Sequence, residues 1–235
     1  MKNSYNQNNT SQVDYKLNEK IIYIDQDILI VNKPSGLRTI QDGYLPSIPN
    51  LKSILEINFG KIWIVHRLDK ETSGVLIVAR NKEAHKKLNT QFENRTIQKT
   101  YVARTHNIPS WSTYQLIINL KINGDRRHRT IIGEKGKISQ TNFKVMDSNS
   151  ITNFSLIYAA PHTGYTHQIR AHLAFLGFPI YGDILYQIPD DITAKTLNQN
   201  ASRLFLHAVK IIFQHPVLNK EMIFSSPLPD EFLLQ

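Results

Sequence analysis

The chain has 235 residues, a mass of 27.1 kDa and 41% hydrophobic residues, enough for one large domain or two small ones around a buried core. A formal charge of +9 and a pI of about 9.6 favour a polyanionic partner, since a cationic surface gains affinity by releasing counterions from phosphates. The absence of cysteine excludes disulfides and thiolate metal sites, and no apolar run is long enough to span a bilayer or resembles a signal-peptide core, so a cytoplasmic protein is expected.

Residues 1–19, rich in Asn, Gln, Ser and Lys, predict a disordered or loosely attached polar tail, with the folded domain occupying 20–235. Apolar runs at 21–24 and 28–32 predict two strands around Asp25-Gln26-Asp27, and Lys33-Pro34-Ser35-Gly36 ends the second. Lys33 there suits either an anion contact or a loop role. Leu51, Ile54, Leu55 and Phe59 share one helical face, with Gly60 as a C-terminal cap. Short β-branched strands at 62–65 and 75–79 enclose a polar stretch, His66 to Gly74, in which Thr72-Ser73-Gly74 reads as a turn and His66 as a packing residue. Ala84, Leu88 and Phe92 predict a second helix capped by Asn81, with Lys82, Lys86, Lys87 and Arg95 on its solvated face.

Strands are predicted at 99–104 and 114–120, followed by a basic loop holding Lys121, Arg126, Arg127, His128 and Arg129, a candidate nucleic-acid contact. Strands at 140–146 and 151–159 flank a turn at 147–150. Ile169, His172, Leu173 and Leu176 predict a third helix ended by Gly177, with Thr163-Gly164 and Thr166 supplying its first turn. A turn at 178–183, a loop with a little helix at 184–201, and strands at 204–213 and 222–224 complete the chain. Without internal repeats or a Gly/Ser linker, the pattern implies a single α+β domain around a large mixed sheet.

Nine histidines raise the question of a metal, but His162, His167 and His172 are spaced by five, which on a helix separates neighbours by roughly 140°. There is no H-E-x-x-H motif, so no metal site is expected. Neither a G-x-S-x-G elbow nor a P-loop is present: Ser73 stands before Gly74 alone, and Gly36, Gly60 and Gly74 are isolated. What remains is Asp69 in a basic, aromatic setting. It either caps the Thr72-Ser73 turn or, with a cation to hold it, acts as nucleophile or base.

His66-Arg67-Leu68-Asp69-x-x-Thr72-Ser73-Gly74 resembles the signature of the RluA-like family of RNA pseudouridine synthases. Other segments follow in family order. They are Asn32-Lys33-Pro34-Ser35-Gly36, Lys99-x-Tyr101, Thr163-Gly164-x-Thr166-His167-Gln168-Ile169-Arg170-x-His172-Leu173, Gly177-x-Pro179-Ile180-x-Gly182-Asp183, and Leu206-His207-Ala208 with His215-Pro216 and Pro227-Leu228-Pro229. The resemblance implies a single catalytic domain, a large mixed, mainly antiparallel sheet with flanking helices and loops around a central RNA-binding cleft. It also implies isomerisation of uridine to pseudouridine in tRNA, large-subunit rRNA or both, by a compact member without an S4-type domain.

By motif position Asp69 would be the catalytic aspartate, Tyr101 the tyrosine packing on the target base and placed for proton transfer, and Arg170 the arginine pairing with the carboxylate. Arg67 would enter the RNA stack as the uridine leaves, and Leu68 and Ile169 would wall the pocket. Arg67, Lys99, Arg126, Arg127, Arg129 and His167 form the expected RNA-contacting set. No metal or organic cofactor, no membrane and no obligate protein partner are implied; a monomer acting on an RNA stem-loop is expected. Tyr165 departs from the family, which usually has Arg there, so a phosphate contact or ion pair is in question. A second reading, motivated by Tyr165 and the basic loop, is an RNA-binding or folding factor that keeps the synthase fold without needing catalysis.

Overall fold

Two β-branched runs pair first: β1 (Ile21–Ile24) and β2 (Ile28–Lys33) form an antiparallel hairpin. Asp25 closes its turn, with Oδ1 accepting from the amides of Asp27 and Ile28 at 2.8 Å. The computed structural model describes residues 17–41, 43, 48–187 and 201–233. The expected tail therefore lies outside the described residues up to 16. Residues Leu17–Lys20 form a short 3-10 helix, and Leu17 is buried in the core, so packing begins before the expected boundary at 20 because that leucine has an apolar seat to fill. Of the loop expected at 184–201, residues 188–200 likewise lie outside the described residues.

The first helix, α1 (Leu51–Phe59), starts at a capping box in which Asn50 Oδ1 accepts from the Ser53 amide at 3.1 Å and the Ser53 hydroxyl accepts from the Asn50 amide at 3.2 Å. It ends at Gly60. After β3 (Trp63–Ile64) and β4 (Ser73–Ala79) comes α2 (Lys82–Glu93), where Asn81 Oδ1 takes the Ala84 amide at 2.8 Å, the expected cap. The chain then runs through β5 (Gln98–His106), β6 (Thr113–Lys121), β7 (Ile131–Ile132), β8 (Lys137–Asn149), β9 (Phe154–Pro161), α3 (Gln168–Phe175), β10 (Leu206–Gln214) and β11 (Glu221–Ser225).

Among the described residues, all eleven strands join one sheet, in the order β1-β2-β4-β10-β5-β9-β8-β6-β7, with β11 paired to β10 and β3 to β4. Its pairings are antiparallel except β4 with β10, which run parallel at Ser73–His207 and Gly74–Ala208. This contact corrects the reading of Ser73 and Gly74 as a turn: they open a strand. The glycine is required because its φ is 113° and a Cβ would lie 2.2 Å from the Ala208 carbonyl oxygen. The turn expected at 147–150 also moves. Residues 147–149 pair with β9 beyond a bulge between Val145 and Asp147, and Asn149 Oδ1 instead organises the next turn by accepting from the amides of Ile151 and Thr152.

Among the described residues, two large apolar clusters and a small third fill the domain. The first lies around β1, β2, β4, α1 and α2, the second around β5, β9 and α3, and the third joins Leu120, Ala171 and Tyr186. Tyr101 on β5 packs against the first two, which places it at their junction. The architecture is the expected single α+β domain.

Candidate active site

Over that junction opens a cleft of about 420 Å³, lined by the loop before β4, the start of β5, and the segment leading into α3. The loop carrying Asp69 is tied down one peptide unit after another. Thr39 Oγ1 donates to the Leu68 carbonyl at 2.9 Å, the Gly36 amide to Lys70 at 2.9 Å, and Ser35 Oγ to Glu71 at 2.6 Å. Lys33, fully buried, donates to the carbonyls of Lys70, Leu37 and Pro34 at 3.1, 2.7 and 2.9 Å. Burial pushes its ammonium down to about 7 against the pull of Asp69 and Glu71. Of the two readings of Lys33, the structure therefore shows the loop role: it clips the Lys33–Leu37 bend to the loop that holds Asp69.

The Asp69 carboxylate faces two groups, Arg170 on α3 and His167 just before it. Oδ2 lies 3.5 Å from an Arg170 terminal nitrogen, at the long limit of a hydrogen bond, and 3.6 Å from His167 Nε2. Its own main-chain carbonyl accepts from the Thr72 amide, so what caps the turn is backbone and not the carboxylate. Arg170 is held more tightly by a residue the sequence reading did not single out. Asp183 accepts from Nε at 2.7 Å and from the second terminal nitrogen at 2.9 Å, with side-chain exposures of 0% for Asp183 and 7% for Arg170. Burial alone would lower the arginine pKa; the Asp183 hydrogen bonds and charge, with Asp69 behind them, outweigh it and raise the value. The result is a fixed cation that steadies Asp69 without engaging it in a short hydrogen bond.

Tyr101 lines the same cleft. Burial, and then the charge of Asp69, raise its phenol pKa, keeping it neutral. Leu68 and Ile169, both buried, line the cleft. Arg67 is exposed at the rim, and Lys99 lies beside Phe92 with its pKa lowered by burial. Arg95, expected on a solvated helix face, instead lines the cleft: it falls after α2 ends and adopts φ 56°, which turns it away from that face. Thr72 also lines the cleft, and its buried hydroxyl has no partner among the described residues.

The basic loop divides. Arg129 is half-buried, bound by Asp125 at 2.6 Å and donating to the Leu185 carbonyl at 3.0 Å, so its role is to fix the loop, which is a departure from the expected RNA contact. Arg126 and Arg127 are exposed, and neither is among the residues lining the cleft. The helix start differs too: His167, left-handed with φ 57°, is the residue before α3, while Thr166 gives its carbonyl to Thr130 Oγ1 at 2.7 Å. Gln168 braces that turn by accepting from Thr163 Oγ1 and the Tyr165 amide at 2.8 and 3.2 Å. Tyr165 packs against the cluster of Leu120, Ala171 and Tyr186 and carries Lys137 over its ring at 5.9 Å. His66 accepts from the Ile77 amide at 3.1 Å and stacks on Phe92, matching the packing role expected of it.

Among the described residues, Asp25, Asp27 and His215 form a group of metal-ligand type that unites positions up to 190 apart, too far in sequence for a spacing motif. His215 Nδ1 accepts from the amides of Val217 and Leu218, so Nε2 carries the proton and donates to Asp25 at 3.0 Å. It is a lock between two turns and offers no free nitrogen to a metal.

A buried arginine steadying one carboxylate beside a neutral tyrosine, in a cleft rimmed by cations, is the layout of an enzyme acting on a polyanion. The model of the RNA pseudouridylate synthase family matches residues 27–175. The chain is 35% identical over 226 residues to an uncharacterised RNA pseudouridine synthase of Mycoplasma genitalium, covering 95% of this chain and 71% of that one. It is 34% identical over 210 residues to the dual-specificity RNA pseudouridine synthase RluA of Escherichia coli, covering 88% and 92%. Among solved structures it resembles human RNA pseudouridylate synthase domain containing 1, with TM-score 0.75, 28% identity, and coverage of 88% of this chain and 82% of that one. The chain belongs to the RluA-like family of RNA pseudouridine synthases and is an isomerase acting on RNA.

Proposed function

We propose that this enzyme isomerises specific uridines in structured RNA, tRNA or large-subunit rRNA, with Asp69 as its catalytic carboxylate. In the reaction the bond from N1 to C1′ breaks and a bond from C5 to C1′ forms, with the C5 proton released and N1 reprotonated. The observation that carries the assignment is the Asp69–Arg170–Asp183 line. A carboxylate near a clamped cation, yet free of short hydrogen bonds, remains available to attack C1′ or to take a proton from C2′. Tyr101, a neutral phenol on the cleft floor, packs on the base.

Reaching the cleft requires the uridine to leave its stack, at a cost of a few kcal/mol that is least in a loop. Arg67 at the rim is placed to fill the gap, and Lys99 and Arg95 are placed to meet phosphates. Leu68 and Ile169 exclude water from the bond being remade. RNA names in the relatives support this substrate class: RluA is dual-specificity, and a Vibrio vulnificus relative 33% identical over 227 residues, covering 92% of this chain and 68% of that one, is a ribosomal large subunit pseudouridine synthase. The test is complementation. Cells lacking the protein should lose a pseudouridine that the wild type restores and Asp69→Asn does not; restoration by Asp69→Asn would refute the assignment.

A further inference from the structure

We propose that Tyr186 is a positioning residue of this site, fixing His167 in the tautomer whose Nε2–H faces the Asp69 carboxylate. The inference deepens the proposed role of Asp69 and rests on that reading. Tyr186 is buried, and its hydroxyl accepts from the Thr130 amide at 2.7 Å and lies 3.2 Å from His167 Nδ1. The phenol can give its proton to His167 Nδ1, although the Thr130 side chain also lies beside the hydroxyl. A proton on Nδ1 would turn the phenol into the acceptor there and leave a bare Nε2 lone pair facing the Asp69 carboxylate, an unfavourable contact. The Asp69 charge and the phenol together therefore favour a bare Nδ1 and a protonated Nε2, 3.6 Å from Asp69 Oδ2.

The surroundings hold this arrangement in place. The left-handed backbone of His167 turns its ring into the cleft. Tyr186 meets that ring edge-on at 5.6 Å and carries the Arg170 guanidinium over its own face at 5.1 Å. Asp183 Oδ1, which clamps Arg170, also accepts from the Tyr186 amide at 3.1 Å. One short segment thus aims both groups that face Asp69, His167 and Arg170. The charged groups around His167 are Asp69, Arg170, Asp183 and Arg67, and burial lowers its pKa against the pull of Asp69, so the ring is neutral and its tautomer decides what the carboxylate meets. With Nε2–H it meets a positive dipole end; with the other tautomer it would meet a lone pair.

Nitrogen-15 NMR of histidine-labelled protein reads the tautomer without any substrate, the His167 signals being assigned as those lost in His167→Gln. The wild type should show Nε2 protonated and Nδ1 bare. Tyr186→Phe, which keeps the ring, should shift His167 toward Nδ1–H. Single-turnover pseudouridine formation in RNA from cells lacking the protein gives the second readout. Tyr186→Phe should slow it about 2- to 10-fold, the equivalent of one neutral hydrogen bond, without weakening RNA binding. In the His167→Gln background, whose amide donates toward Asp69 with no tautomer to fix, Tyr186→Phe should cost nothing further. An unchanged tautomer in Tyr186→Phe, or the same slowing in both backgrounds, would overturn the proposal. A wild type that forms no pseudouridine would overturn the reading of Asp69, and the NMR result would still judge Tyr186.

Discussion

Replacing Asp183 by Asn removes the negative charge that holds Arg170 while leaving the shape of the side chain. In the native protein the Asp183 oxygens accept from two Arg170 nitrogens and from the amides of Leu185 and Tyr186. The amide can satisfy at most one side of that set, and its NH₂ group would face a guanidinium N–H. With both side chains buried, the loss falls in the class of a broken buried pair, about 3–5 kcal/mol, because the arginine charge keeps only the more distant Asp69 carboxylate at 3.5 Å. For a domain of this size that is a drop of roughly 6–20 °C in Tm, at about 2–4 °C per kcal/mol. Thermal unfolding followed by circular dichroism measures it. The double variant Asp183→Asn/Arg170→Met, which removes both charges, should recover part of the loss while abolishing activity. A loss below about 1 kcal/mol for Asp183→Asn, the value of an exposed pair, would refute the clamp.

Gly74→Ala should cost about 2–6 kcal/mol in urea unfolding, combining strain at φ 113° with a clash against the Ala208 backbone; a cost under about 1 kcal/mol would contradict the close β4–β10 approach. Thr72→Val keeps the shape and removes a buried hydroxyl that has no partner among the described residues, so stability should rise by up to about 1–3 kcal/mol; a fall in the urea midpoint would show that the hydroxyl is already satisfied. Burial lowers His66 to about 3 (the nearby Lys99 adding to the effect), and His172 and His207 to about 4, all from 6.5. As pH falls below 6.5 the unfolded chain takes up protons that the folded one refuses, so stability should fall between pH 6.5 and about 4. His172→Gln should flatten that part of the Tm–pH curve, and an unchanged slope would count against a buried neutral His172.

Much of the fold was legible because its signals are local. The β-branched runs of β2 and β4, the Asn81 cap and the Ala84–Leu88–Phe92 spacing need no distant partner to be read. Ser73 and Gly74 were misread for the opposite reason: Ser-Gly is turn chemistry locally, and it becomes strand only because β10 supplies a parallel neighbour 134 residues away. Asp69, Arg170 and Tyr101 could be named because family motifs carry them, and the structure brings all three to one cleft. Their supports were not legible. Nothing in the Tyr181-Gly182-Asp183 stretch announces that Asp183 is buried against Arg170, nor that Tyr186 reaches His167. Arg129 is the reverse case. A run of arginines reads as a phosphate patch, yet one of them is consumed by Asp125 and a carbonyl to shape the loop that carries the others.

A map of pseudouridines in tRNA and rRNA from cells with the protein, without it, and with Asp69→Asn in its place tests the role of Asp69 most directly. At least one site should be modified in the first and unmodified in both of the others. Identical maps from cells with and without the protein, or a site restored by Asp69→Asn, would contradict the central claim that Asp69 carries out the isomerisation.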